Sequence, residues 1–185
     1  QLFLAYTIPL DKDNPNDDQT VLHARQTRFN VGTTTDTTYG KLNSFFEGDF
    51  FFSCTSANTA DFRVRHAFGE LGRLLAGQTW STFQIVDAVP DTLDFGGPAA
   101  QTFMRQGQIR WTEPFAWGSV QFAVEDPSAT LDNSAETDDD HVADMIARVN
   151  YKSDYGSYSA AVMARELSAD DGTTIDDSTW GGAAS

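Results

Sequence analysis

An all-β fold, an antiparallel up-and-down transmembrane β-barrel with about nine strands in this chain, is predicted by three features of the sequence. Nine segments alternate apolar and polar side chains at every second residue, the period of a strand whose two faces meet different surroundings. The connections alternate in length as well. Those near 10–22, 54–60, 83–103, 127–141 and beyond 168 are long, whereas those near 36–40, 69–73, 113–117 and 153–155 run to about five residues or fewer. Outer-membrane barrels keep short turns at one rim and long loops at the other. The third feature is aromatic: Tyr39, Phe68, Trp111, Phe115, Trp117, Tyr151 and Tyr155 lie at or beside the short turns, where a girdle at a membrane–water interface would sit. Alternation by itself leaves a second reading open. In a soluble all-β ligand- or carbohydrate-binding module, a sandwich or lectin-like domain, the apolar face would be the core and the polar face would meet water.

Taken in order, Leu2–Ile8 alternates Leu2, Leu4, Tyr6 and Ile8 until Pro9 and an Asn/Asp run end it. A strand from His23 to Thr35 sets Phe29, Val31 and Thr33 against Arg28, Asn30 and Gly32. Lys41–Ser53 follows, with Leu42, Phe46, Phe50 and Phe52 on one face and Asn43, Glu47 and Asp49 on the other; Phe45 and Phe51 share this second face. Phe62–Phe68 alternates Phe62, Val64, His66 and Phe68 against Arg63, Arg65 and Ala67. Beyond a Gly69–Arg73 turn, Leu74–Thr82 has no clean apolar face. Its small Ala76, Gly77 and Ser81 suit contact with another subunit. Met104–Thr112 places Gln106, Gln108 and Arg110 opposite Ile109 and Trp111. A Glu113–Trp117 turn leads into Gly118–Glu125, and the last hairpin is Val142–Lys152 with Gly156–Leu167. Nine strands cannot close a single-chain bacterial barrel, which has an even number, so the chain is expected to be part of a larger one.

Composition narrows the function classes. The 185 residues allow one domain, and their 40% hydrophobic fraction and mean hydropathy of -0.38 fit a barrel, whose strands need only every second residue apolar. No apolar run approaches the roughly 20 residues of a membrane helix. The N-terminus has no basic stretch or cleavage site of an export signal, which reads as a mature or trimmed chain. The formal charge of -15 arises from 27 acidic and 12 basic residues and disfavours a nucleic-acid partner. The acids gather at 11–18, 136–141 and 168–177, either as a solvated exterior or as a bridge through divalent cations to anionic lipid headgroups. A single Cys54 excludes an internal disulfide, and His23, His66 and His141 are too scattered for a metal site. No nucleophile or dinucleotide motif is present: Ser81 has no evident base, and GELGRLLAG lacks a strand–loop–helix setting. Neither catalysis nor a cofactor is expected.

The arginines carry the functional expectation. Arg28, Arg63, Arg65, Arg110, Arg148 and Arg165 all fall on the non-apolar face by alternation. Arg63 and Arg65, two residues apart on one strand, point the same way about 6–7 Å apart. A ladder of fixed cations in a narrow, low-dielectric passage attracts anions. Glu47 and Asp49 share that face, so pairing is the competing role for the same arginines.

The words RFN near residue 28, EGDFF near 47, then FRVRHAFGE, LLAGQTWSTF, DTLDFGGPA and RQGQIRW occur in an order and spacing that closely resemble the DcaP-type trimeric porins of Gram-negative outer membranes. The resemblance covers roughly residues 23–112, and further on only the strand rhythm is shared. It implies the N-terminal half of a barrel of roughly 16 strands and a homotrimer in outer-membrane lipid and lipopolysaccharide. It also implies diffusion of small hydrophilic, anionic, dicarboxylate-like solutes through an arginine-lined lumen. In such porins the third outer loop folds into the lumen. Here that is 83–103, with Asp91, Asp94, Phe95, Gly96 and Gly97 at its constricting part; the competing placement is a surface loop packed through Phe95 on its own barrel.

Overall fold

The computed structural model describes residues 24–51, 61–86, 104–127 and 142–167, together with the backbone of short strands at 137–138, 169–170 and 179–184. The strands are β1 (Arg28–Thr37), β2 (Gly40–Asp49), β3 (Arg63–Leu71), β4 (Leu74–Trp80), β5 (Arg105–Phe115), β6 (Gly118–Glu125), β7 (Thr137–Asp138), β8 (Asp144–Ser153), β9 (Gly156–Leu167), β10 (Ala169–Asp170) and β11 (Thr179–Ala184). Nine of them form one sheet in the order β1-β2-β3-β4-β5-β6-β8-β9-β11, every neighbouring pair antiparallel, and β7 pairs with β10 apart from it. This is an up-and-down meander with no α-helix among the described residues. The strand predicted at Leu2–Ile8 lies outside the described residues.

Short turns alternate with long connections as expected, and the turns are tighter than predicted. Residues 38–39, 72–73, 116–117 and 154–155 are two-residue hairpin loops. β3 continues to Leu71, which pairs with Leu74, and β5 continues to Phe115, which pairs with Gly118. Residues assigned to turns by composition are therefore ladder residues, because each further pair satisfies backbone groups that lipid would leave unbonded. At the other ends the strands are shorter than predicted: β1 begins at Arg28 and β2 ends at Asp49.

The two faces are inverted relative to a water-soluble protein. Phe46, Phe62, Val64, Phe122 and Val149 are 38–56% exposed, while Asp49, His66, Gln108, Glu125 and Asp144 are at most 9% exposed. A single layer whose apolar side lies open and whose polar side is covered has no place for a sandwich core. Lipid is the environment that satisfies it.

Alternation fails at one point, in β3. Glu47 pairs with His66, yet Gly48 pairs with Val64, so Arg65 is an extra residue in a β-bulge. His66 and Phe68, expected beside Phe62 and Val64, lie instead on the face of Arg63, and Phe68 packs its ring 5.8 Å from Phe45. Phe68 thus drops out of the outward girdle. The remaining rim is a chain of ring contacts, Phe115 to Trp117 at 4.3 Å, Trp117 to Tyr151 at 5.4 Å and Tyr151 to Tyr158 at 6.1 Å. A second aromatic group, Phe29, Phe50, Phe62 and Phe46, lies towards the long-connection end, with centroids 5.6–6.3 Å apart in sequence. Phe62 covers Gly48, where an added Cβ would meet the ring. In β4, Gly77 has φ +128 and a Cβ there would come within 2.6 Å of Phe68 Cα, so this strand position needs glycine.

β11 was not expected, since it lies in the long connection predicted beyond 168. Trp180, Gly181 and Gly182 pair with Glu166, Arg165 and Ala164 on β9. Its run of Gly and Ala has no apolar alternation to read, and pairing with β9 supplies what propensity does not.

Candidate functional site

Polar-face residues from β1, β2 and β3 converge at the long-connection end. Register brings Arg28 opposite Asp49 and Asp49 opposite Arg63, and the bulge adds Arg65 beside them. Arg63 grips Asp49 bidentately, Nε donating to Oδ1 at 2.9 Å and Nη2 to Oδ2 at 2.7 Å. Arg65 donates from Nε to Glu47 Oε1 at 2.7 Å and from Nη1 to Asp49 Oδ2 at 3.0 Å. Arg28 Nε stands 3.6 Å from Glu47 Oε1, more exposed than the others. Predicted pairing of Glu47 and Asp49 with the arginines is therefore present.

A further arginine joins this group that alternation had not offered. Arg105, at the last rung of the β4–β5 ladder, lies over the Trp80 ring at 3.6 Å from its centroid and interacts electrostatically with Arg65 and Arg63. Trp80 in turn packs edge-on to His66 at 5.4 Å, and His66 Nδ1 lies 3.0 Å from Thr79 Oγ1. Strict alternation puts Arg105 on the side of Ile109 and Trp111, which is why the sequence concealed it. Among the described residues, three guanidinium groups (Arg28, Arg63, Arg65) share two carboxylates here, with Arg105 beside them.

The other predicted arginines sit elsewhere and differ from one another. Arg165 binds the fully buried Asp144 through Nε to Oδ1 at 2.8 Å and through Nη2 to Oδ2. Arg110 lies on β5 between Leu75 and Ala123, interacts with Glu70 and Glu125, and has a buried Nε without a hydrogen-bond partner. Arg148 spends its donors on the Asn150 side chain at 2.7 Å, Ser159 Oγ at 3.2 Å, and the carbonyls of Thr82 and Gln84 at 3.4 and 2.5 Å. The six arginines thus do not form one ladder.

After β4 the chain leaves the sheet and turns across the polar face. Thr82 N donates to Glu125 Oε1 at 2.6 Å and Thr82 Oγ1 to Gln108 Oε1 at 3.0 Å. Ser81 N donates to Met104 O, and Met104 N to Gln84 Oε1, both at 3.1 Å, so the two ends of the connection are tied together. Phe83 is buried against Ala123, Ile146, Ala161 and Met163. Ser81 and Thr82, expected in the strand Leu74–Thr82, thus lie beyond β4, and Phe83 and Gln84, the first residues of the connection expected at 83–103, lie against the polar face. Asp91, Asp94, Phe95, Gly96 and Gly97 lie outside the described residues, as do Cys54, His23 and His141. No group of three or more His, Cys, Asp or Glu among the described residues is arranged to hold a metal ion.

An exposed apolar belt bounded by aromatic rings, backed by a charged and buried polar wall, defines a segment of an outer-membrane β-barrel. In fold it is similar to the outer membrane channel DcaP of Acinetobacter baumannii, with a TM-score of 0.76 at 24% identity over 88% of this chain and 47% of that one. The chain belongs to the DcaP outer membrane protein family, whose model matches residues 4–153. It spans about half the length of the solved channel. No curated protein matches it.

Proposed function

We propose that the complete protein is a trimeric diffusion porin that passes small hydrophilic solutes and prefers anions of the dicarboxylate kind. One observation carries this reading: among the described residues Arg28, Arg63 and Arg65 share two carboxylates, Glu47 and Asp49, on one patch of the polar face, although the chain as a whole has a charge of -15. Inside a narrow passage walled by low-dielectric material, an excess of fixed positive charge concentrates anions. Planar guanidinium groups also match carboxylate geometry. The family is one of outer-membrane channels, and passage down a concentration gradient needs no cofactor and no catalytic group. Outer-membrane lipid and lipopolysaccharide are the partners of the apolar face.

The test is the reversal potential of the full-length protein in planar bilayers under a salt gradient. An anion-selective potential that collapses in the double variant Arg63→Ala/Arg110→Ala supports the reading. Cation selectivity of the unmutated channel rejects it.

A further inference from the structure

The polar face has one place where it is not polar. Ala123, Ile146 and Met163 follow one another across β6, β8 and β9 in register with Arg110, and Ala161 faces Arg148. By position all four belong with the charged residues, and a water-filled passage gives no reason for apolar side chains there. Phe83 supplies the reason, because it inserts from the crossing segment and is buried in one cluster with Ala123, Ile146 and Ala161, against which Met163 packs. On either side of Phe83, the carbonyls of Thr82 and Gln84 accept from Arg148 Nη1. These carbonyls lie outside any strand ladder, and a backbone acceptor held against a wall needs a donor.

We infer that Phe83 and Arg148 form a latch that pins residues 81–86 to the β6–β8–β9 wall and so sets how far this segment narrows the passage. Arg148 is then a positioning residue and not a solute-facing cation. The argument rests on the proposed channel activity. Two independent contacts, one apolar and one a charge-assisted hydrogen bond, hold successive residues of the same short segment. The neck closed by Ser81, Gln84 and Met104 keeps both ends of the connection at that place. Guanidinium is the group the position requires: its fixed planar fork reaches Asn150, Ser159 and two carbonyls at once, which an ammonium cannot do.

Single-channel recordings of the full-length protein separate a latch from a pore charge. Arg148→Ala and Phe83→Ala should each raise the conductance and the open-channel noise while the reversal potential stays put. Arg148→Lys, which keeps the charge, should behave like Arg148→Ala, and Phe83→Leu, which keeps the socket filled, should behave like the parent. The double variant should add little to either single one. Phe83 lies outside the sheet, so its variants remain decisive if Arg148→Ala fails to assemble. Unchanged conductance and noise in Phe83→Ala overturn the latch. A shift of reversal potential in Arg148→Ala that Arg148→Lys restores overturns the positioning role. A parent protein that conducts no ions at all instead removes the channel reading on which the latch rests.

Discussion

Asp49→Asn isolates the role of the shared carboxylate in the arginine cluster. Arg63 Nη2 and Arg65 Nη1 both donate to Asp49 Oδ2, at 2.7 and 3.0 Å. The two cationic nitrogens can therefore lie no more than about 6 Å apart, which at an effective dielectric near 20 is roughly 3 kcal/mol of repulsion. Asp49 offsets that repulsion while only 3% exposed, and asparagine keeps its shape without its charge. Arg63 is a third exposed, so water relieves part of the strain. The expected loss is about 2–4 kcal/mol, near the lower end of the cost of breaking a buried pair. Urea titration of the full-length barrel in lipid vesicles measures it. Two companions sharpen the result. Adding Arg63→Gln should recover most of the loss, a coupling read as a double-mutant cycle. Raising the salt towards 1 M, where the screening length is about 3 Å, should shrink it. A stability change within about 0.5 kcal/mol at low salt, typical of an ordinary surface site, would refute the reasoning, because the guanidiniums would then already be neutralised by water and counter-ions.

Phe122→Arg, on the open apolar face, should cost about 2–4 kcal/mol by the same titration if it sits near the bilayer midplane; no loss there would deny lipid contact. Gly77→Ala should destabilise by more than about 1 kcal/mol, since its φ of +128 and the nearby Phe68 backbone leave no room for a methyl group. Removing Trp117, which holds both Phe115 and Tyr151, should lower stability and weaken retention in bilayers more than removing the solitary, exposed Tyr155. Mass measurement in mild detergent should find trimers, and monomers alone would remove the assembly proposal.

The strands were largely legible because lipid on one side and water on the other impose a period of two, and nothing else in a chain does so as plainly. β6 and β9 have the predicted bounds to the residue. Legibility ended where one residue disturbs that period or where long-range contact decides. The extra Arg65 reverses the sense of His66 and Phe68, and no local feature of RVRHAF announces it. Arg105 has the parity of an outward residue, yet lies over the Trp80 ring beside the cluster. Phe83 reads as one more apolar loop residue until Ile146 and Met163 are seen to await it from strands more than sixty residues away. Nor did alternation distinguish Arg148, which holds backbone, from Arg63 and Arg65, which hold carboxylates: parity reports a side and not a partner. β11 stayed hidden because glycine and alanine have no side to report.

The bulge at Arg65 divides β3 into two halves that run out of phase. Cysteines placed one by one along the strand, in a Cys54→Ser background, would react with water-borne reagents at 63, 65, 66, 68 and 70, stuttering once and then resuming the beat of two. Deleting Arg65 alone would leave Arg63 inward and Val64 outward and restore an unbroken beat of two. Keeping every residue but forcing regular pairing would instead send Val64 inward and Arg63 into hydrocarbon. For this stretch of wall, the count of residues matters as much as their kind.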